Sequence, residues 1–322
     1  MAIPFTKMHG AGNDYIFIDC MSDKTKIKNP AELARQMSPP HFGIGADGIV
    51  LILPSSEADA RMRMFNADGS EGKMCGNALR CIGRFLYERG YTRKTSLVIE
   101  TASGIRRLWI KLKGGRFVSA LADMGRASFL AADVPVLAAP DREGYITIGG
   151  LLGGSCRATC ISMGNPHAVF FTDDPEKKDL AGIGAALANH PLFPEGVNAE
   201  FARVAGGEIY MRVWERGTGE TLACGTGACA SAAAAVHHCL LPYDTPIKIH
   251  MRGGDFEAIV KKNFRVLLSG TAETVFDGTF YDTEDKLGFR QMKISRAFRK
   301  IIFLQMWHGG WQIIKKSIQN LM

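Results

Sequence analysis

Cys75 and Cys224 are the residues of this 322-residue chain whose type and spacing could do chemistry. Each is followed by glycine and a small polar residue, Gly76-Asn77 and Gly225-Thr226, within segments of one design: MRMFNADGSEGKMCGNALRC from Met62 and MRVWERGTGETLACGTGACA from Met211. Laid over each other without a gap, the two match at Met62/Met211, Arg63/Arg212, Glu71/Glu220, Cys75/Cys224 and Gly76/Gly225. A cysteine placed where a loop turns into a helix meets unpaired N–H groups and the positive end of the macrodipole. Both favour the thiolate, so each thiol is expected to ionise below its reference value of about 8.5. The same N–H groups at Gly76-Asn77 and Gly225-Thr226 make two anion sites suited to a carboxylate. If the two copies pack about a pseudo-twofold axis, both thiols meet in one cleft. Opposed thiols flanking a carboxylate-bearing carbon are the parts of a stereochemical inversion: a thiolate removes a proton from one face and a thiol supplies one to the other. The helix ends would stabilise the charge developing on the carboxylate.

The elements around these cysteines repeat as well. Gly12-Asn13 precedes the β-rich run Tyr15–Ile18, and Gly164-Asn165 precedes His167–Phe171, so the order Gly-Asn element then Cys element occurs twice. Alternating apolar residues predict strands at 4–8, 15–19, 49–53, 97–101, 105–112, 117–124, 145–148, 156–162, 198–204, 209–215, 247–251, 256–261, 265–269 and 274–281. Helices are predicted from Pro30 up to Pro39-Pro40, over 77–89, near 180–189, and over 225–240. This irregular mixture is α+β. The run Ala230-Ser231-Ala232-Ala233-Ala234-Ala235 predicts a helix enclosed on most sides, because small side chains let neighbouring backbone approach closely. Gly43-Ile44-Gly45-Ala46-Asp47-Gly48 matches a dinucleotide fingerprint as a string. It follows a helix and leads into a strand, the reverse of the strand-to-helix turn that meets a pyrophosphate.

Composition bounds the partners. With 46% hydrophobic and 22% charged residues the chain reads as an ordinary globular protein long enough for two domains. It has no apolar run of membrane-spanning length, and its first residues lack the apolar core of a secretory signal, so the cytoplasm is the expected compartment and no membrane partner is expected. The eight cysteines never form a C-x-x-C pair, which gives a metal site little support. Net charge is +7, but 286–322 holds eight Lys/Arg and no acid, so subtracting that stretch leaves the preceding residues at −1. A near-neutral body points to a small-molecule substrate and not to nucleic acid. Three readings of 286–322 stand open: a docked helix pair, a basic amphipathic surface segment, or a tail outside the fold.

The stretches KMHGAGNDY, MRMFNADGSEGKMCGNALRC, SMGNPHAVF, GVNAEFARV and ERGTGETLACGTGACA together resemble the diaminopimelate epimerase family over about residues 3 to 283. The resemblance implies two pseudo-symmetric domains, each a curved, mostly antiparallel sheet around a central helix, with the active site in the cleft between them. By it, 1–124 with 271–285 forms one half, 125–270 the other, and 286–322 has no counterpart. It further implies that Cys75 and Cys224 interconvert LL- and meso-2,6-diaminopimelate without a cofactor. Asn13, Asn66, Asn165 and Asn198 would hydrogen-bond the substrate, while Glu215 and Arg216 would hold its distal ammonium and carboxylate. Gly76, Asn77, Gly225 and Thr226 would hold the reacting carboxylate. For His167 two roles stand open, an auxiliary in proton handling or a turn residue bonded to backbone. Gly76-Asn77-Ala78 replaces a more usual Gly-Asn-Gly, and a Gln that some relatives carry near Gly48 is missing. A homodimer is possible. The rival readings are a proline or hydroxyproline racemase, which has no use for Glu215-Arg216, and a thiol redox sensor built on a Cys75–Cys224 disulfide.

Overall fold

A two-residue turn sets the first element pair. Ala11 and Gly12 both take positive φ, 53° and 83°, which is the turn whose twist matches two antiparallel strands. Strands β1 (Ala2–Gly10) and β2 (Asn13–Asp19) therefore run right up to it, closing on the pair Gly10↔Asn13. The turn is tighter than the gap between the strands predicted at 4–8 and 15–19, and it makes Asn13 the first residue of a strand. Asn29 caps α1 (Pro30–Met37) by accepting from the Glu32 N–H at 3.2 Å, with Pro30 at the position where a missing N–H costs nothing. Next come β3 (Gly48–Leu53), β4 (Ala60–Asn66), the two-residue β5 (Glu71–Gly72), α2 (Gly76–Glu88), β6 (Ser96–Thr101), β7 (Gly104–Lys113) and β8 (Arg116–Arg126).

The order then repeats. After β9 (Ile146–Leu151) and β10 (Gly154–Ser162) come β11 (Pro166–Phe171), α3 (Leu180–Ala188), β12 (Asn198–Ala205), β13 (Glu208–Glu215), β14 (Gly219–Thr221), α4 (Gly225–His237), β15 (Pro246–Met251), β16 (Gly254–Val260), β17 (Arg265–Gly270) and β18 (Glu273–Tyr281). In the first series β2 pairs parallel with β3, β3 antiparallel with β4, β4 with β5 and, in parallel, with β6, and then β6 with β7 and β7 with β8. The second series, from β11 to β17, has the same pairings in the same senses. Even the register agrees, Phe65↔Glu71 in one and Trp214↔Glu220 in the other. The internal repeat of the sequence is thus a repeat of strand topology. The series join through β17 on β8, and β18 returns to lie beside β1.

Helices α2 and α4 lie in the one large core that runs through both series, and every residue of α4 from Gly227 to Val236 is buried. Its alanines are what allow that enclosure, as read from sequence. The smaller α1 and α3 each cover a separate apolar cluster on the outer side of their strands. Helix α4 stops at His237, three residues before the predicted end, because Cys239 takes φ 57° and Leu240 N–H turns back to the Ala235 carbonyl at 2.8 Å. Strand β11 begins already at Pro166, so His167 sits inside a strand and not in a turn. Short β5 and β14 were invisible to periodicity, being two and three residues long.

The computed structural model describes residues 2–22, 25–151, 154–188 and 190–281, and nearly all of these fall in one compact unit, Ile3–Phe280. The basic stretch 286–322 and its three readings lie outside the described residues.

Candidate active site

Both cysteines occupy N-cap positions. Cys75 (φ −138°, ψ 122°) precedes α2 and Cys224 (φ −128°, ψ 110°) precedes α4. Their carbonyls take the first intrahelical bonds, from Leu79 N–H at 3.0 Å and Ala228 N–H at 2.9 Å. Each is delivered by a hairpin that the duplicated Arg and Glu pin together. Arg63 grips Glu71 with two bonds of 2.8 and 3.0 Å across β4–β5, and Arg212 grips Glu220 with two of 2.8 and 2.9 Å across β13–β14. Those residues stood out in the sequence as repeat markers; their pairing as paired clamps appears only once the strands are in register.

One cavity of about 550 Å³ is lined by Cys75, Gly76 and Asn77 from one helix start and by Cys224, Gly225 and Thr226 from the other. Asn13, Asn66, Asn165, Glu215 and Arg216 line it too, and they also border an adjoining cavity of about 790 Å³ that adds Asn198 and Asp47. Every residue singled out above for the site, apart from His167, borders this continuous cleft.

The expected lowering of the thiol pKa values is not what the site does. Burial pushes Cys75 up, with Glu215 adding to it, and the backbone N–H groups of Ala78 and Asn77 and the Arg80 guanidinium oppose the rise without cancelling it. Cys224 lies well above the ordinary thiol range, through burial first and then the carboxylates of Glu215 and Glu200, against the Thr226 hydroxyl and the Gly227 N–H. The helix ends do act on both sulfurs, but a thiolate removed from water loses more than a helix terminus returns. Glu215 is itself pushed up by burial, and hydrogen bonds from Thr221 and Cys224 counter this.

The asparagines form two related arrays. Asn13 Oδ1 accepts from Asn77 Nδ2 at 3.0 Å and from the Cys75 thiol at 3.4 Å. Asn165 Nδ2 donates to Thr226 Oγ1 at 3.4 Å, and that hydroxyl stands 3.5 Å from Cys224 Sγ. Asn198 bridges the Pro166 carbonyl at 3.0 Å and the Arg216 backbone N–H at 2.8 Å, and so fixes the start of the loop that carries Glu215-Arg216. Among the described residues the Arg216 guanidinium bonds only the Glu195 carbonyl, at 2.5 Å, which leaves most of its fork open to the cleft. Asn66 Nδ2 donates to Ser70 at 2.9 Å. His167 is fully buried behind this layer, 2.7 Å from Glu200 by Nδ1 and 3.0 Å from Asn165 Oδ1 by Nε2; its partners are side chains and not backbone. Three nearby residues escaped the sequence reading: Glu200, Asp47 and Arg80. Glu200 sits in an apolar strand without any pattern to mark it, and Asp47 was hidden inside the false nucleotide fingerprint.

Comparison with known proteins gives the same direction. The family model described as "Diaminopimelate epimerase" matches residues 5–130 and 159–275. The chain is 43% identical over 281 residues to the diaminopimelate epimerase of Bacillus licheniformis, covering 86% of this chain and 98% of the relative. It is 44% identical over 291 residues to that of Desulfovibrio desulfuricans, covering 87% and 99%. Among solved structures it is similar to a hydroxyproline epimerase from Agrobacterium vitis, with a TM-score of 0.64 at 17% identity over 86% of this chain and 92% of the other. At that identity the likeness is one of fold.

Proposed function

Because the chain belongs to the diaminopimelate epimerase family, we propose that it inverts one α-carbon of LL-2,6-diaminopimelate to give the meso isomer, with Cys75 and Cys224 as the two acid/base groups. The observation that carries this reading is the single cavity bordered by both thiols and both helix starts. One thiolate takes the α-hydrogen: the C–H bond breaks, an S–H bond forms, and the electron pair is left on carbon and its carboxylate. The opposite thiol gives its proton to the other face, and its sulfur becomes the thiolate. Burial raises both thiols, and a thiolate held above its ordinary range is a stronger base toward a weakly acidic C–H. The N–H groups of Gly76-Asn77 and Gly225-Thr226 hold the carboxylate as its charge grows.

Arg216 clamps the distal carboxylate and Glu215 the distal ammonium, with Asn13, Asn66, Asn165 and Asn198 completing the polar lining. A substrate with two amino-acid heads uses both ends of this set, which is why it is favoured over a cyclic imino acid. His167 acts through Asn165 as an auxiliary. No cofactor is required. The reaction belongs to lysine and cell-wall precursor synthesis in the cytoplasm, in a chain whose two halves divide near 124/125 and 270/271. That division is supported by the repeated strand order and by β18 lying beside β1. Among the described residues no helix is long and apolar enough to cross a membrane.

Incubation with LL-diaminopimelate in deuterated water tests the assignment. Deuterium is expected at one α-carbon with formation of the meso isomer. Cys75→Ser and Cys224→Ser should each abolish epimerisation while retaining hydron exchange with opposite isomer preference, because the surviving thiolate works only on its own face. A fully active Cys75→Ser or Cys224→Ser enzyme would end the two-thiol mechanism.

A further inference from the structure

Asp47 and Arg80 have no part in the reaction as described, yet they end a hydrogen-bonded chain that passes Cys75. Asp47 Oδ2 accepts from Asn13 Nδ2 at 2.6 Å, Asn13 Oδ1 accepts from Asn77 Nδ2 at 3.0 Å, and Asn77 Oδ1 accepts from the Arg80 guanidinium. The Cys75 thiol reaches the same Asn13 Oδ1 at 3.4 Å. A carboxylate only accepts and a guanidinium only donates. Between such ends the two amides can face one way only, since turning either would set N–H against N–H or oxygen against oxygen.

Arg80 is 0% exposed. Its bonds go to neutral acceptors, the Gly76 and Thr271 carbonyls and Asn77, and its plane lies over the Phe256 ring at 5.1 Å. A buried cation without a carboxylate partner is costly to keep. The other half of the molecule does without one. Asn165 stands where Asn13 does, but Thr226 replaces Asn77 and Cys229 takes the position of Arg80. Cys224 therefore faces a hydroxyl at 3.5 Å, which itself accepts from Asn165, and the Gly227 N–H at 3.4 Å, in place of an amide oxygen.

We propose that Asp47 and Arg80 are positioning residues, which as acceptor and donor ends lock Asn13 and Asn77 so that an amide oxygen, and not an N–H, faces Cys75. The lock holds the Cys75 proton in the free enzyme, whereas Cys224 is reached by a different chain, from Glu200 through His167 and Asn165 to the Thr226 hydroxyl. It makes the two thiols unequal in an otherwise duplicated site. The importance of this to catalysis rests on Cys75 being an acid/base group. The lock itself is tested without turnover, so its failure is distinct from that of the two-thiol mechanism.

The other ionisable groups that face Cys75 are Cys81 on its own helix, Tyr15 from β2 and Glu215 from β13. Of these, Tyr15 also meets the amide chain, through a hydrogen bond with Asn13, and burial holds its hydroxyl protonated. The test is the pH dependence of iodoacetamide alkylation at Cys75 and Cys224, followed by mass spectrometry in the same sample. Freeing the amides lets an N–H turn to sulfur, so Asp47→Ala and Arg80→Met, which remove the acceptor and the donor, should both move the Cys75 midpoint down. The double variant should move it by about one pH unit, with roughly tenfold faster alkylation near neutrality. Cys224 should not move, and Arg80→Lys, which keeps a donor, should restore the parent curve. If the two residues act only through their charges, Asp47→Ala lowers the midpoint and Arg80→Met raises it, and the proposal fails. It fails equally if both cysteines shift together or neither does. Should Arg80→Met not fold, Asp47→Ala is compared with Asp47→Asn. Both lose the charge, but only alanine leaves Asn13 without a partner, so the lock requires the larger fall in Asp47→Ala, and equal falls would overturn it.

Discussion

Among the described residues the Arg216 guanidinium bonds one backbone carbonyl and borders the cleft, where the proposed mechanism has it hold the second carboxylate. Lysine keeps the charge but not the planar fork, so Arg216→Lys is expected to cost about 1.5–3 kcal/mol of transition-state binding, seen as a fall in kcat/KM. Kinetics within twofold of the parent would remove Arg216 from the substrate clamp. The thiols give a second expectation at this scale. Both are raised by burial, so the reactive thiolate becomes populated only as pH rises. The kcat/KM profile should climb on the alkaline side of neutrality. A limb that is complete by about pH 6 would show instead that the helix ends outweigh burial once substrate is absent.

The two hairpins that deliver the cysteines carry the same Arg–Glu clamp in different surroundings. Arg212 is 9% exposed and also binds the carbonyls of Pro175, Glu176 and Lys178, whereas the Arg63 side chain is 37% exposed. Arg212→Leu leaves three carbonyls without their donor and Glu220 with Arg252 alone, and its expected cost is about 1–3 kcal/mol. Arg63→Leu breaks an exposed pair, with an expected cost of about 1 kcal/mol or less. Urea unfolding of both variants checks the order, and equal losses would mean that burial does not distinguish the two clamps. The sequence match made these four residues look equivalent; solvent exposure is what separates them.

Across the molecule, buried thiols couple stability to pH. Cys20 is pushed up to about 11 and Cys81 and Cys160 to about 12, in each case mainly by burial. In the unfolded chain these thiols ionise near about 8.5, while the fold keeps them protonated. The unfolded state is then the one that sheds protons first. Stability is fully present below that pH and falls as pH rises toward the folded-state values, by about 1.4 kcal/mol per pH unit for each thiol. Unfolding free energies at pH 8 and pH 10 should show this decline, and a Cys81→Ala/Cys160→Ala variant should show a shallower one. An unchanged slope would assign the decline to other groups.

The sequence by itself determined the duplication, the α+β class, the enclosure of the Ala-rich helix α4 and the location of both cysteines at helix starts. Those properties follow from local periodicity, Gly and Pro punctuation and repeated strings, all of which are present before the chain folds. It also carried enough motif to select the family. What it could not carry was anything that depends on which atoms lose water. The pull of a helix end on a thiol is legible from position, but the desolvation that overrides it at Cys75 and Cys224 exists only when both series close over the cleft. The burial of His167 against Glu200 joins residues 33 positions apart, and the chain from Asp47 through Asn13 and Asn77 to Arg80 joins residues up to 64 apart. Neighbours of that kind are created by strand register, and no spacing in the sequence announces them.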